Sequence, residues 1–243
     1  MKDGSIRGDA VLLIGAIALS YPIGLALDPV FLLPVLNALP AWWVMTRRLR
    51  AGDLGGAVRL MLIFPVALAL FGTVSLALWP TFDGRIPPVF NGPEYREEMF
   101  RWIRTGVGSE GDWRLFLPLH ITHLVGFVVV SMLTGSLVSI TGGAILTNYM
   151  DGYVASIHRA GAPIWATVFF GWQPWAMCRV AGFCILGVVL AEPVLSRVFR
   201  YKAQPWSSVR PWVRTASGLI LADWILKAWL APSWGRILNS QIP

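Results

Sequence analysis

The sequence predicts an all-α protein, a polytopic membrane helical bundle with about six to seven transmembrane helices and one extracytoplasmic helical loop. Two observations support this prediction. Hydrophobic residues make up 56% and charged residues 14% of the 243 residues, whereas soluble domains average about 45–50% apolar and about 25% charged residues. The apolar residues also form long runs, and a run of about 20 residues crosses a hydrocarbon core of about 30 Å. We therefore expect residues 1–243 to form a single integral membrane domain.

The predicted spans follow from where turn signals and charges interrupt the apolar runs. The fourth run is too long for one simple span. The fifth is short for a full crossing, so the sequence does not decide whether residues 163–175 cross the bilayer. A turn is expected at Asp28 and Pro29. The spans are predicted over residues 10–27, 30–45, 58–78, 115–150, 163–170, 176–195 and 215–230.

The distribution of charge predicts the orientation. The loops 46–56 and 196–214 are rich in arginine, whereas the polar segment 81–114 has six acidic and five basic residues. Because positive residues favour the cytoplasmic side, we predict a bacterial inner (cytoplasmic) membrane protein with a cytoplasmic N-terminus. The basic loops and the region of His158 and Arg159 are predicted inside, and the segment 81–114 and the C-terminus outside. The same bias accounts for the net charge of +7, so we expect no nucleic-acid partner.

Within the polar segment, residues 93–103 predict a short amphipathic helix. Tyr95, Met99, Trp102 and Ile103 recur at helical spacing and fall near one face. A helix of this kind is expected on the membrane surface or against a partner protein.

Three ionisable side chains within predicted spans are candidate functional residues: Arg179, Asp223 and Lys227. Charged groups in a bilayer are costly and are functional candidates by default. Asp223 and Lys227 are four residues apart and therefore lie on one helical face. Two interpretations stay open. Asp223 pairs with Lys227 or Arg179 and joins two spans, or these residues belong to an ion or substrate path.

His120 and His123 are three residues apart and place two imidazoles on roughly one helical face. Imidazole is a common metal ligand, so haem or chlorophyll are the cofactors that such a pair suggests. No carboxylate or cysteine cluster nearby in the sequence completes a metal site, so we assign no metal. The alternative is that both histidines form hydrogen bonds at the membrane interface.

Gly135, Ser139 and Gly143 follow one another at four-residue spacing in the fourth apolar run. Small residues at this spacing let helices approach closely. The face that they form is expected to pack within this chain or, as the alternative, in an oligomer contact.

Residues 133–232 contain a series of elements whose order suggests a relationship. The elements are a glycine-rich helix at 135–143, a polar break at 148–152, Phe-Gly-Trp-Gln-Pro at 170–174, Val-Ala-Gly at 180–182, a basic loop at 197–214 and a final helix at 219–232. In spacing and residue class this layout resembles the stage II sporulation protein M family of multi-pass membrane proteins. The resemblance implies a shared helical bundle. The role of that family's Pro-His-Gly-x-x-Glu motif is not implied, because Phe170 stands in place of its histidine and Pro174 in place of its glutamate.

The sequence has no P-loop, nucleophile-elbow, HExxH or dinucleotide-binding motif, so we expect a protein that is not an enzyme. The leading hypothesis is a non-catalytic membrane subunit that packs within a larger complex, with the lipid bilayer and other membrane subunits as partners. One alternative is a transporter or permease component, suggested by Arg179, Asp223, Lys227 and the helix break at 171–174. Another is a pigment- or haem-binding subunit that uses the two histidines.

Overall fold

The computed structural model describes residues 5–27, 29–79 and 89–243. Within these ranges the chain forms nine α-helices and no strand, which confirms the predicted all-α fold. Asp28 of the predicted turn, and Asp83 and Arg85 of the polar segment, lie outside the described residues. The helices are α1 (Ile6–Leu27), α2 (Leu32–Arg50), α3 (Leu54–Leu78), α4 (Gly92–Thr105), α5 (Trp113–Thr134), α6 (Leu137–Arg159), α7 (Ile164–Phe170), α8 (Pro174–Phe199) and α9 (Trp206–Gln241).

Four of these helices, α1, α3, α5 and α8, are long and apolar enough to cross a membrane. An 18-residue window in each has a mean hydropathy between 1.9 and 2.3. This finding is consistent with a multi-pass membrane protein. Helices α2, α6 and α9 have 19, 23 and 36 residues but are more polar, so hydropathy alone does not give the number of crossings.

One end of the bundle collects basic residues, and we call it the basic end. Asp9 of α1 lies between Arg47 and Arg48 of α2, with carboxylate-to-guanidinium distances of 3.1 and 2.5 Å. The loop that joins α8 to α9 is at the same end, because the Gln204 side chain donates to the Gly52 carbonyl at 3.2 Å. The start of α1, the α2–α3 connection and the α8–α9 loop therefore form the basic end.

The predicted fourth span contains two helices that fold back on each other. Gly135 and Ser136, between α5 and α6, both have a left-handed backbone, with φ of 55° and 65°. Across this turn the Ser131 and Ser139 hydroxyls are 2.7 Å apart. An uninterrupted helix would separate residues eight apart by about 12 Å along its axis. The Trp42 indole fixes the turn by donating to the Gly135 carbonyl at 2.9 Å.

This reversal corrects the predicted placement of His158 and Arg159. The charge pattern predicts both beside the basic loops, but α6 runs back and ends at the opposite end of the bundle, which we call the α4 end. There the Arg159 guanidinium donates to the carbonyls of Leu76 and Trp79, where α3 ends. The physical reason is that a glycine and a serine make the turn inside an apolar stretch, so hydropathy gives no sign of it.

Helix α7 decides the open question of residues 163–175. It has seven residues, about 10 Å at about 1.5 Å per residue, which is too short to cross a hydrocarbon core of about 30 Å. A Cβ atom on Gly171, just after α7, would lie 2.8 Å from Val154 Cγ1, so the end of α7 packs on α6. Pro174 then begins α8. The segment is a short helix at the α4 end.

Two hydrophobic cores hold the helices together. The larger lies between α1, α2, α3, α6 and α8 and includes Leu13, Val44 and Leu68. The smaller lies at the α4 end, where Met99 and Trp102 of α4 pack with α6 and α9. The apolar face of α4 is thus covered by the same chain.

Trp102 also positions the loop 106–112, which follows α4. A Cβ atom on Gly111 would lie 3.3 Å from the Trp102 ring, so the loop backbone rests directly on the indole. Gly106, in the left-handed conformation with φ of 71°, ends α4 and turns the chain into this loop. The result is that Glu110 points into the bundle and is 8% exposed.

Candidate functional site

Five ionisable side chains meet inside the bundle toward the α4 end, and we call them the charged cluster: Glu110, His120, Arg179, Asp223 and Lys227. Glu110 comes from the loop 106–112, His120 from α5, Arg179 from α8, and the other two from α9. Asp223 and Lys227 are 0% and 1% exposed, and His120 is 6% exposed. The sequence predicts Arg179, Asp223 and Lys227 as one group of candidates and His120 as another, and the structure brings all four together with Glu110.

Glu110 and Lys227 form the shortest ion pair of the cluster. Lys227 Nζ donates to Glu110 Oε1 at 2.8 Å, and the Trp175 indole donates to Oε2 at 3.2 Å. The ammonium also lies 4.7 Å from the centroid of the Phe116 ring, a cation–π distance. Burial raises the pKa of the Glu110 carboxyl, but Lys227, Arg179 and the two hydrogen bonds outweigh burial and hold its pKa below the ordinary value. Glu110 is therefore the ionised partner of Lys227 at neutral pH.

His120 lies between a cation and an anion. Arg179 Nη1 is 2.6 Å from His120 Nε2. A guanidinium can only donate, so Nε2 is the acceptor and the neutral imidazole carries its hydrogen on Nδ1. That nitrogen is 3.3 Å from Asp223 Oδ2. The order of groups is carboxylate, imidazole and guanidinium.

The Asp223 carboxylate can accept more hydrogen bonds than it receives. Arg179 Nη1 is 3.9 Å from its Oδ1, a distance for electrostatic attraction but not for a hydrogen bond. Among the described residues, neither carboxylate oxygen has a well-aligned hydrogen-bond donor. Lys227, four residues along the same helix, pairs with Glu110 instead. Asp223 is thus a buried acceptor that interacts with its neighbours by electrostatic attraction and not through a well-aligned hydrogen bond.

The charges of the cluster balance. Two carboxylates, Glu110 and Asp223, face two cations, Arg179 and Lys227, and His120 is neutral in this arrangement. An uncompensated charge in such an environment would cost several kcal/mol. Adding or removing one proton therefore leaves the cluster with a net charge and changes which of its side chains attract one another.

His123, the second predicted ligand, does not join the cluster. Its side chain is exposed, and among the described residues it has no hydrogen bond or ion pair. Nor does that part of the chain contain a group of three His, Cys, Asp or Glu side chains arranged to hold a metal. The two histidines therefore do not form one site.

The predicted small-residue face is used partly within the chain. A Cβ atom on Gly135 would lie 2.7 Å from Leu195 Cδ2, so α8 packs directly on the turn. Ser139 bonds to Ser131 across the same turn. Gly143 has no described neighbouring atom within 4 Å of the position of a Cβ.

A second buried polar network lies on the face of α6 that contacts α1 and α2. Asn148 and Asp151, three residues apart on α6, bond to Tyr21 of α1, and Asn148 also bonds to Asn37 of α2. Tyr153, on the opposite face of α6, belongs to the core at the α4 end. The sequence does not single out Tyr21 or Asn37, because each is one polar residue in an apolar run. The spacing of Asn148 and Asp151 is the signal that could have found the network.

Glu110 is the member of the charged cluster that the sequence does not predict. It belongs to a segment with many charges, where a glutamate is ordinarily exposed. Its burial depends on the contact between Gly111 and Trp102, which no local pattern encodes.

Comparisons with protein-family models, with curated proteins and with solved structures found no match to this chain. The resemblance to the stage II sporulation protein M family stays a prediction. The residues 171–174, which are part of that resemblance, form the junction between α7 and α8, where Gln173 is 1% exposed.

Proposed function

We propose that the protein is a non-enzymatic transporter component that moves protons across a membrane by way of the charged cluster. The observation that supports this is the position of His120, a neutral imidazole, 6% exposed, with a carboxylate at one nitrogen and a guanidinium at the other. Histidine exchanges protons near neutral pH, and ionisable residues inside membranes mark ion paths and proton relays. Because the side chains of the cluster contact one another directly, a proton suits this closed arrangement better than a bulky solute.

A proton that arrives at His120 binds to Nε2, because Nδ1 already carries a hydrogen. Arg179 then leaves Nε2, since both groups would be positive. Its Nη1 is 3.9 Å from Asp223 Oδ1, and among the described residues that oxygen has no hydrogen-bond donor. The carboxylate is therefore placed to receive the guanidinium. In this mechanism protonation is coupled to an exchange of partners, as a gated proton path requires.

In this proposal the basic end is the cytoplasmic end. Positive residues favour the cytoplasmic side of a membrane, and Arg47, Arg50 and Lys202 support this orientation. The N-terminus is then cytoplasmic in a bacterial inner membrane, and α1, α2, α3, α5, α6, α8 and α9 make seven crossings. The charged cluster lies in the outer half of the bundle, with Glu110 nearest the outer surface.

Proton movement into liposomes tests the proposal. The purified chain is reconstituted with a pH-sensitive dye inside, and a potassium gradient with valinomycin provides the driving force. We expect liposomes that contain the wild type to show a larger proton flux than empty liposomes. His120→Gln, which keeps hydrogen-bonding groups but exchanges no proton near neutral pH, should fall to the level of empty liposomes. Replacing Asp223 and Lys227 together by leucine should also abolish the flux.

Arg236→Gln is the matched control, because Arg236 is an exposed cation on the same helix as Asp223. It should transport like the wild type. Equal flux by the wild type and by folded His120→Gln overturns the proposal, as does a wild type that does not exceed empty liposomes.

A second candidate function is the one that the sequence favours, a non-catalytic subunit of a larger membrane complex. The observation that supports it is the apolar exposure of α7, where Ile164, Val168 and Phe169 are 68%, 61% and 70% exposed. In a membrane these side chains contact lipid or a neighbouring subunit. Native purification in a mild detergent tests this candidate. A large particle with fixed partners supports it, and a particle of this chain alone removes it.

A haem- or chlorophyll-binding role needs a histidine nitrogen that is free for the metal. Nε2 of His120 is bonded to Arg179 at 2.6 Å, so ligation there would first displace the guanidinium. His123 is exposed and is the histidine that a pigment can reach. Visible absorption bands that disappear in His123→Ala would support this role, and a featureless spectrum of the natively purified protein would remove it.

A further inference from the structure

Asp151 lies at the centre of the second polar network, between α1, α3 and α6. Its side chain is 0% exposed. Thr73 Oγ1 is 3.1 Å from Oδ1, and Tyr21 Oη is 3.3 Å from Oδ2. No basic side chain of the described residues lies within 4.0 Å of this carboxyl. Unlike Glu110 and Asp223, it is a buried acid with no cation beside it.

The number of hydrogens around Asp151 bears on its protonation state. A tyrosine hydroxyl has a single hydrogen to donate. Three acceptors surround the Tyr21 hydroxyl: Asn148 Oδ1 at 2.8 Å, the Leu68 carbonyl at 3.2 Å and Asp151 Oδ2 at 3.3 Å. When Asn148, the nearest, receives this hydrogen, Asp151 Oδ2 faces only the lone pairs of the tyrosine oxygen. That contact is attractive only if the carboxyl carries a proton of its own.

With a proton on Asp151, the network becomes a head-to-tail chain of donors. Asp151 donates to Tyr21, and Tyr21 donates to Asn148. The Asn148 amide donates to Asn37 Oδ1 at 3.0 Å, and the Asn37 amide donates to Ser20 Oγ at 2.6 Å. Ser20 ends the chain on a carbonyl of its own helix at 2.7 Å. All the hydrogen bonds then run in one direction, and aligned hydrogen bonds strengthen one another.

An ionised Asp151 requires the reverse direction. Tyr21 would donate to the carboxylate, the amides of Asn148 and Asn37 would both turn over, and Ser20 would leave its helix carbonyl. In the structure Asn148 presents its oxygen to Tyr21 and its nitrogen to Asn37. This is the direction that fits the protonated acid.

Gly72 of α3 makes room for the carboxyl. A Cβ atom at this position would lie 2.1 Å from Asp151 Oδ2 and 2.5 Å from Tyr21 Oη. Real Cβ atoms do not approach other atoms so closely. Any residue larger than glycine would therefore enter the space between α1, α3 and α6 that the acid occupies.

We propose that Asp151 is a proton-binding site and that the chain from Tyr21 to Ser20 reverses its direction when the proton leaves. The ligand is a proton because both carboxyl oxygens lie at hydrogen-bond distances from hydroxyl groups and no cationic group compensates the charge. The site is on the opposite face of α6 from the charged cluster. It does not depend on the proposed transport function.

Infrared spectroscopy of the full chain in lipid nanodiscs tests this site. At neutral pH we expect the carbonyl stretching band of a protonated carboxyl group, shifted in heavy water and lost in Asp151→Asn. Glu110→Gln and Asp223→Asn are the controls and should keep the band. Tyr21→Phe removes the acceptor of the proton and should shift the band without removing it. A band that persists in Asp151→Asn, or no such band in the wild type, overturns the proposal.

Thermal unfolding is the second measurement. Asparagine at position 151 donates an amide hydrogen to Tyr21 and accepts from Thr73, as the protonated acid does. We therefore expect the Tm of Asp151→Asn to equal that of the wild type. A clearly lower Tm overturns the proposal, and a wild-type Tm that rises with sodium would identify a metal cation as the occupant instead. Neither measurement uses transport, so failure of the transport proposal leaves this test unaffected.

Discussion

The Glu110–Lys227 ion pair predicts strong coupling between two single substitutions, Glu110→Gln and Lys227→Met. Glutamine keeps an acceptor for the Trp175 indole, and methionine keeps an unbranched stem beside Phe116. Each single change leaves the other charge buried, because Lys227 is 1% exposed and Glu110 is 8% exposed. Removal of one partner from a buried pair costs about 3–5 kcal/mol. We expect the lower end, about 3 kcal/mol of unfolding free energy for each variant, because the other charges of the cluster compensate in part.

The double variant Glu110→Gln/Lys227→Met removes both charges and keeps similar volumes, a change that is often close to neutral. We therefore expect the double variant to be more stable than either single variant, with a coupling energy of at least about 3 kcal/mol. Unfolding by a denaturing detergent in mixed micelles measures all four proteins, and Arg236→Gln serves as an exposed control. Single variants within about 0.5 kcal/mol of the wild type, or additive effects, would refute the reasoning.

The pKa of Glu110 lies below its ordinary value. The stability that its charge provides is therefore fully present above the ordinary glutamate pKa and is lost as pH falls through the lowered one. We expect the Tm of Glu110→Gln to depend less on acidic pH than the Tm of the wild type, and parallel curves for the two proteins would contradict this prediction. Gly72→Ala should lose about 1–3 kcal/mol of unfolding free energy because its Cβ enters the proton-binding site. Gly218→Ala, with no described atom within 4 Å of its Cβ, should change stability by less than about 1 kcal/mol, and equal losses in the two would contradict this prediction. In a background without the native cysteines, His158→Cys and Arg50→Cys should react with an impermeant maleimide from opposite sides of the membrane; reaction from the same side would contradict the α5–α6 reversal.

Hydropathy predicts the helices that end at charges or at prolines, and it fails where a distant contact decides the backbone. α1, α3 and α8 lie close to their predicted positions because their apolar runs end at such residues. The turn between α5 and α6 depends on Ser136, whose hydroxyl donates to the Gly187 carbonyl at 2.7 Å, 51 residues away. No local pattern contains that contact, so the sequence predicts one long run where the structure has two helices.

The sequence predicts only those residues of the candidate site that are unusual in their own segments. Arg179, Asp223 and Lys227 stand out because each is a charge in an apolar run, and His120 because it is near a second histidine. The sequence does not predict which of these residues pair with each other. Spacing along α9 suggests that Lys227 pairs with Asp223, but Glu110, 117 residues away in sequence, is the partner.

Helices α5 and α6 are neighbours in sequence and differ in how they meet their surroundings. α5 is among the four most apolar long helices, yet only 17% of its apolar window is buried. α6 is not among them, although it packs on α2, α3, α4, α5 and α8, because Asn148 and Asp151 occupy one of its faces. The high hydropathy of α5 therefore accompanies a largely exposed surface, and the lower hydropathy of α6 accompanies contact with other helices. In the proposed topology α6 carries Asn148 and Asp151 into the bilayer, so we expect its stable insertion to depend on the neighbouring helices that bond to these polar groups.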